Sequence, residues 1–289
     1  AHPSRSSDDA GSYLPTGPLP MAQLAEIQGD SPASQRQKDF GIFYTPSAAV
    51  AALVKWAVRS ETDRMLDPSC GDGRFLKLHR TCVGVEQDFT ASETARQAAP
   101  WALIHDHEFF GWAGEATERF ECAAGNPPFI RYQRVAGEVR ERALRFCTSL
   151  GVRFSALTSS WAPFLVAAAS LLKPGGRMAF VVPAEVGHAT YAEPLLRYLL
   201  THFSRVQFVA IREKVFPELS EDVWLLFADG FGGATDHFLL STVGRFEYSA
   251  DPPSHGVKVG RQEWEAWRGR LRPFVLSSEV RDLYRRVLD

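Results

Sequence analysis

The stretch Asp67-Pro68-Ser69-Cys70-Gly71-Asp72-Gly73-Arg74-Phe75-Leu76 decides the fold. It follows the apolar run that ends at Met65–Asp67 and leads into Arg74–His79, which reads as the start of a helix. Glycines in a strand-to-helix turn let the backbone approach a ligand closely, and a helix N-terminus offers free N–H groups. The loop lacks the Lys-Ser/Thr pair of a P-loop. It carries two acids, Asp67 and Asp72, which repel phosphate and suit a cationic sulfonium amino acid. Glu86 closes the next apolar run, Cys82–Glu86, where an acid can take ribose hydroxyls. Loop and acid together read as an adenosine site without phosphates. The bland reading is a tight turn with an acid on a strand end.

Outward from this loop, apolar runs alternate with helical patterns, as in a βαβ sheet. Thr45 and Pro46 read as N-cap and first residue of a helix through about Val58. Further strands are expected at Leu103–His105, Glu121–Ala124, Met178–Val182, Val206–Ile211 and Val223–Ala228. Helices are expected at Ser159–Leu172, stopping at Lys173-Pro174-Gly175-Gly176, and at Tyr191–His202. Trp161 and Phe164 read as core. Phe238–Tyr248 reads as a hairpin or edge strand, and Leu276–Leu288 as a short amphipathic helix. The fold class expected is α/β, a Rossmann-like, seven-stranded, mostly parallel sheet flanked by helices.

Three segments are expected: a flexible tail over 1–35 with a short helix near Met21–Ile27, a catalytic domain over 36–235, and an extension over 236–289. The tail is rich in Ser, Pro, Gly and Asp. The 289 residues suit one large α/β domain with appendages. The formal net charge of -2 gives no global attraction for nucleic acid, so any such surface must be local or lie on another domain. The four cysteines, Cys70, Cys82, Cys122 and Cys147, form no CxxC pair and read as reduced core residues of a cytoplasmic protein. No apolar run approaches membrane-span length, and the start lacks the zones of a secretory signal.

Gly125-Asn126-Pro127-Pro128-Phe129 follows the fourth strand. Two successive prolines stiffen the backbone and remove two donors. Their carbonyls and the Asn126 side-chain oxygen remain as acceptors. Such a loop can hold an amine whose lone pair is delocalised into a ring, and Phe129 can stack on the planar base. The bland reading is a proline-stiffened turn with a packed Phe.

Together these residues resemble the gamma class of DNA adenine-N6 methyltransferases, which supplies modification subunits of type I and many type II restriction systems. The resemblance runs from Gly41 to Asp229. Gly41-Ile42-Phe43-Tyr44-Thr45-Pro46 resembles motif X, Asp67–Leu76 motif I, Glu86 the motif II acid, Asn126–Phe129 motif IV and Val215-Phe216-Pro217 motif VIII. The resemblance implies the S-adenosyl-L-methionine-dependent methyltransferase fold. It implies a cofactor site of Tyr44, Thr45, Asp67, Pro68, Cys70, Gly71, Gly73, Phe75, Glu86, Gln87, Asp106, Glu108, Phe109 and Asn126. It implies Asn126, Pro127, Pro128 and Phe129 as catalytic, and Phe129, Arg131 and Phe216 as substrate-binding. Methyl transfer would be direct and in-line, with no covalent enzyme intermediate and no metal, onto a base flipped out of double-stranded DNA. The family has an Asp before the Phe of motif III. Here the stretch is Asp106-His107-Glu108-Phe109-Phe110; spacing to Trp112 and Asn126 aligns Glu108 with that Asp, and Asp106 is the rival. The family often has Tyr where this chain has Phe129.

Arg131, Arg134, Arg140, Arg142, Arg145 and Arg153 follow the Asn-Pro-Pro-Phe loop and read either as phosphate contacts or as a solvated helix face. His105, His107 and Glu108 lack a third nearby His or Cys and do not read as a metal site. The extension after 235 is small for a base-reading domain, so a separate target-recognition domain or subunit is an expected partner. The alternatives are methylation of cytosine N4, ribosomal RNA guanine N2 or protein glutamine, or a non-catalytic methyltransferase-like subunit.

Overall fold

A computed structural model describes residues 45–129, 137–155, 158–213 and 222–288. The expectations for the 1–35 tail, Tyr44, Arg131, Arg134 and Val215–Pro217 fall outside the described residues.

One mixed sheet of nine strands organises the chain. In chain order these are β1 Met65–Asp67, β2 Cys82–Glu86, β3 Leu103–Asp106, β4 Phe120–Gly125, β5 Leu172–Pro183, β6 Phe203–Ile211, β7 Val223–Phe231, β8 His237–Val243 and β9 Val257–Gly260. Their spatial order is β3-β2-β1-β4-β5-β7-β6-β8-β9. The first five positions run parallel, while β7 is antiparallel to both β5 and β6. The seven expected strands are all present. Residues 237–260 add two more to the same sheet, with β8 parallel to β6 and β9 antiparallel to β8.

Helices lie on both faces: α1 Ser47–Ala57, α2 Phe89–Ala98, α3 Phe109–Glu115, α4 Gly137–Ser149, α5 Trp161–Ser170, α6 Glu193–His202, α7 Arg261–Ala266 and α8 Ser278–Leu288. The two faces are sorted by strand periodicity. In β5, Met178, Phe180 and Val182 enter the core shared with α3, α5 and α6, while Ala179 and Val181 enter the core shared with α1. In β7, Trp224, Leu226 and Ala228 take the first side, and Val223, Leu225 and Phe227 the second. Trp264, Trp267, Leu271 and Phe274 join the first core, so the residues after 235 share the interior of the domain. Burying each such side chain stabilises the fold by about 2 kcal/mol.

Three local expectations need correction. Thr45 does not cap α1. Pro46 keeps an extended ψ of 141° and the helix begins at Ser47 without a side-chain cap. The stretch Arg74–His79 is not an α-helix but a single 3-10 turn, Leu76–Leu78. His79 is already extended there, held by its ring nitrogen against the Asp63 carbonyl, because β2 starts three residues later. Lys173-Pro174-Gly175-Gly176 does not separate helix from strand. It belongs to β5, whose pairing with β4 shifts register between Phe120 and Cys122 and accommodates Gly175 at φ 77°.

Candidate active site

The site residues gather at the carboxyl ends of β1, β2, β3 and β4, where an open α/β sheet binds ligands. Order β2-β1-β4 places the glycine loop between Glu86 and the Asn126 loop. Gly73 adopts φ 79°, and a Cβ there would lie 2.9 Å from the Ala95 Cα of α2. Gly71, at φ 52°, has nothing within 4 Å of the corresponding position. The loop therefore packs tightly against α2 at one glycine and faces open space at the other.

The loop is not a phosphate cradle. Five of its N–H groups are committed within the protein. Ser69 donates to Asp67 Oδ1 at 3.2 Å, Cys70 to the Val85 carbonyl at 3.0 Å and Gly71 to Glu86 Oε2 at 3.0 Å. Gly73 donates to the Cys70 carbonyl at 2.8 Å and Arg74 to Asp72 Oδ1 at 3.3 Å. The expectation of free N–H groups at a helix N-terminus is thus corrected, because no α-helix starts there.

The acids are arranged unequally. Asp72 is gripped by Arg74 through Nε at 3.0 Å and Nη2 at 2.7 Å, so its charge is neutralised locally. Asp67 is only 1% exposed, and its Oδ2 meets no partner among the described residues. Burial pushes its carboxyl up to about 8, helped by the nearby charges of Glu86 and Asp72 and opposed by the Ser69 N–H. Glu86 sits at the end of β2 and accepts from Gly71 and from the Asp88 N–H at 2.9 Å. Burial raises its pKa, against the pull of these N–H donors. Each of its oxygens keeps a lone pair for another donor. The Thr45 hydroxyl oxygen is buried without a partner among the described residues, while its carbonyl accepts from Arg74 Nη1 at 2.7 Å. Two buried polar atoms, Thr45 Oγ1 and Asp67 Oδ2, are the kind that a bound polar ligand satisfies.

Cys70 and Phe75 are buried in the core under the loop, and Gln87 is exposed beside Glu86. Pro68 is buried between Asp67 and Ser69 in the turn that follows β1. All four cysteines are free and buried, and burial raises each thiol, Cys82 and Cys147 to about 12.

Asp106 and Glu108 are engaged by different partners. Asp106 closes β3 in register with Glu86 and pairs with Arg96 at 2.8 Å, which holds its carboxyl below the usual range. Glu108 caps α3, accepting from the Phe110 N–H at 2.8 Å and the Gly111 N–H at 3.0 Å, and it also pairs with Arg142 at 2.9 Å. Phe109 packs beneath them at 3% exposure, stacked on Phe164.

The Asn126 loop is pinned from both sides by hydroxyls that sequence reading missed. Ser69 Oγ donates to the Asn126 carbonyl at 3.2 Å, and the buried Ser160 donates to the Pro128 carbonyl. Asn126 Oδ1 is itself buried. Gly125 must be glycine for close approach, since a Cβ would lie 2.7 Å from Asp67 Oδ1. Phe129 is half-buried against both cores. Of the arginines after this loop, Arg142 and Arg145 are ion-paired with Glu108 and Glu141.

A family model described as "Eco57I restriction-modification methylase" matches residues 77–216. The matched residues make up just under half of the chain. The chain is 28% identical over 163 residues to the type II methyltransferase M.TthHB8I of Thermus thermophilus, covering 53% of this chain and 37% of that one. It is 30% identical over 151 residues to the tRNA1(Val) (adenine(37)-N6)-methyltransferase of Cronobacter sakazakii, covering 47% of this chain and 58% of that one. The fold matches the type I restriction enzyme EcoKI M protein with a TM-score of 0.55 at 16% identity, over 78% of this chain and 53% of that one. The chain spans about a third to a half of the length of the type II relatives it matches.

Proposed function

We propose that this protein transfers a methyl group from S-adenosyl-L-methionine to the N6 amine of a flipped adenine in double-stranded DNA. The observation that carries the reading is the Asn126-Pro127-Pro128-Phe129 loop, held by Ser69 of the glycine loop on one side and Ser160 on the other. In this reading the Asn126 side chain and the Pro127 carbonyl accept the two hydrogens of the amine. Two acceptors for two N–H hydrogens draw the nitrogen toward a pyramidal form with an available lone pair. Phe129 stacks on the base from its half-buried position.

The cofactor, when bound, supplies an electrophilic methyl group on a sulfonium. Glu86 takes the ribose hydroxyls, and Asp106, Glu108, Phe109 and Gln87 border the adenine end. Asp67, Thr45 and the loop over Pro68–Phe75 face the methionine part. The commitment of the loop's own N–H groups, together with its buried acid, supports a cationic ligand without phosphates. Base flipping costs a few kcal/mol, and positioning and charge placement supply most of the rate. A cytoplasmic setting accords with four buried free thiols. A separate target-recognition domain or subunit completes site selection.

RNA adenine is a second reading, favoured by the tRNA-acting relative. Nucleoside mass spectrometry after incubation with S-adenosyl-L-methionine separates the two. N6-methyladenine is expected from duplex DNA. N4-methylcytosine, or modified adenine only from RNA, would overturn the base or polymer assignment.

Glu86→Ala is expected to weaken cofactor binding about thirtyfold, as loss of a charge-assisted hydrogen bond implies. Isothermal calorimetry reads this directly, and unaltered affinity refutes the ribose role.

Asp67 makes cofactor affinity depend on pH. Its folded pKa, about 8, lies far above that of an unfolded aspartate. The folded state therefore holds an extra proton between these values, and its stability falls as pH rises from about 4 toward 8. A cationic ligand favours the carboxylate instead. Affinity is thus expected to rise between pH 6 and 8, with proton release on binding. Calorimetry in buffers of different ionisation enthalpy measures that release, and a value of zero across this range rejects the contact.

A further inference from the structure

Residues 268–286 contain six arginines and two acids, in a chain whose net charge is -2. This is a local concentration of positive charge that whole-chain composition conceals. Arg268, Arg270, Arg272, Arg285 and Arg286 make no ion pair among the described residues, and Arg270 Nη1 is buried without a hydrogen-bond partner there. By contrast Arg142 and Arg145, after the Asn126 loop, are already neutralised. Gathering unpaired cations on one segment is unfavourable unless an anion completes it.

The fold holds this segment at the working edge of the sheet. The Leu271 N–H donates to the Gly187 carbonyl at 2.8 Å, which ties it to the loop that leaves the carboxyl end of β5. That loop is clamped in turn, since Gly187 packs so closely on Trp224 that a Cβ would lie 2.6 Å from the indole. β5 is the parallel neighbour of β4, which ends at the Asn126 loop. Arg270 and Arg272 flank Leu271 and are close enough to His188 to lower its pKa, after burial as the main cause and against the pull of Glu185. Glu185 itself is engaged by the Trp161 indole N–H at 3.0 Å. Arg285 lies over the Trp267 ring, 4.5 Å from its centroid, and Trp267 packs edge-on against Phe274. Arg285 is thus held on an aromatic pair, while Arg272 is exposed to solvent.

We infer that Arg270, Arg272 and Arg285, held beside the loop that follows β5, form a contact surface for phosphates of duplex DNA flanking the target base. This rests on the proposed DNA substrate. The surface supplies sequence-independent attraction and register, and leaves base reading to other elements. Phosphate rather than an acidic protein is the occupant favoured, because planar guanidinium forks, one of them held over Trp267, match phosphate oxygens bidentately.

The test is fluorescence anisotropy of a labelled duplex over about 50 to 200 mM salt, comparing the wild-type chain with the Arg272→Gln/Arg285→Gln pair. Loss of two phosphate contacts predicts affinity reduced about tenfold at the low-salt end and a salt slope smaller by about two. The Arg272→Lys/Arg285→Lys pair keeps the charges and should restore most of the slope. Melting temperatures check the fold, and the exposed Arg272→Gln alone, with an expected slope change of about one, serves if the pair is unstable. Wild-type protein that binds duplex DNA while the variants match it in affinity and slope overturns the surface alone. Wild-type protein that neither binds nor methylates duplex DNA overturns the substrate reading and this inference together.

Discussion

Asn126→Ala is expected to lower methyl transfer about a thousandfold while cofactor affinity stays within a few-fold. The side chain is short and sits in a loop whose backbone is held by other groups. The backbone there is fixed by Ser69 Oγ on the Asn126 carbonyl, by Ser160 on the Pro128 carbonyl and by two prolines. Removing the amide leaves the backbone acceptors in place and deletes the side-chain acceptor proposed to share the amine hydrogens with the Pro127 carbonyl. The loss should therefore appear in kcat, as expected for an interaction that strengthens as the nitrogen develops charge. Single-turnover kinetics with calorimetric cofactor titration separates the two quantities. A hundredfold loss of cofactor binding would assign Asn126 to the cofactor instead of the amine.

Gly73→Ala should be the most damaging single methyl in the cofactor loop, costing about 3 kcal/mol. Two effects add. At φ 79° an L side chain is strained, and the new Cβ would meet the α2 backbone, 2.9 Å from Ala95 Cα and 3.1 Å from its carbonyl oxygen. Backbone cannot swing aside as a flexible side chain can, so α2 must move away from the loop. For a chain of this size the melting temperature should fall by about 6 to 12 °C. Gly71→Ala is the control. It carries the strain of φ 52° but meets nothing within 4 Å, so it should cost less stability and act mainly on cofactor affinity. Thermal unfolding of both variants decides. Equal losses would mean that contact with α2 contributes nothing.

The sequence by itself determined the elements and the chemistry concentrated in short strings. The runs ending at Asp67 and Glu86 and the loop at Asn126–Phe129 were legible because strand periodicity, glycine turns and proline stiffening act between near neighbours. Asp67, Glu86 and Asn126 could be picked out for the same reason, since each occupies the end of a recognisable strand.

Tertiary structure decided what these residues are free to do. Asp72 looked like a second acid for a cationic ligand until Arg74 was seen to grip it. Glu108 is spent on a helix cap and on Arg142, 34 residues away. Ser69 and Ser160 hold the Asn126 loop across separations of 57 and 32 residues. The helix expected from Arg74 shrank to one turn because β2 begins too soon, which removed the free N–H groups that local reading supplied. Residues 237–275, weakly patterned as a string, complete the sheet edge and bring an arginine-rich segment back beside β5. Periodicity reports which face of an element is apolar. It does not report which distant element will meet that face, or which hydroxyl or guanidinium will arrive with it, because that depends on packing energies summed over the whole core.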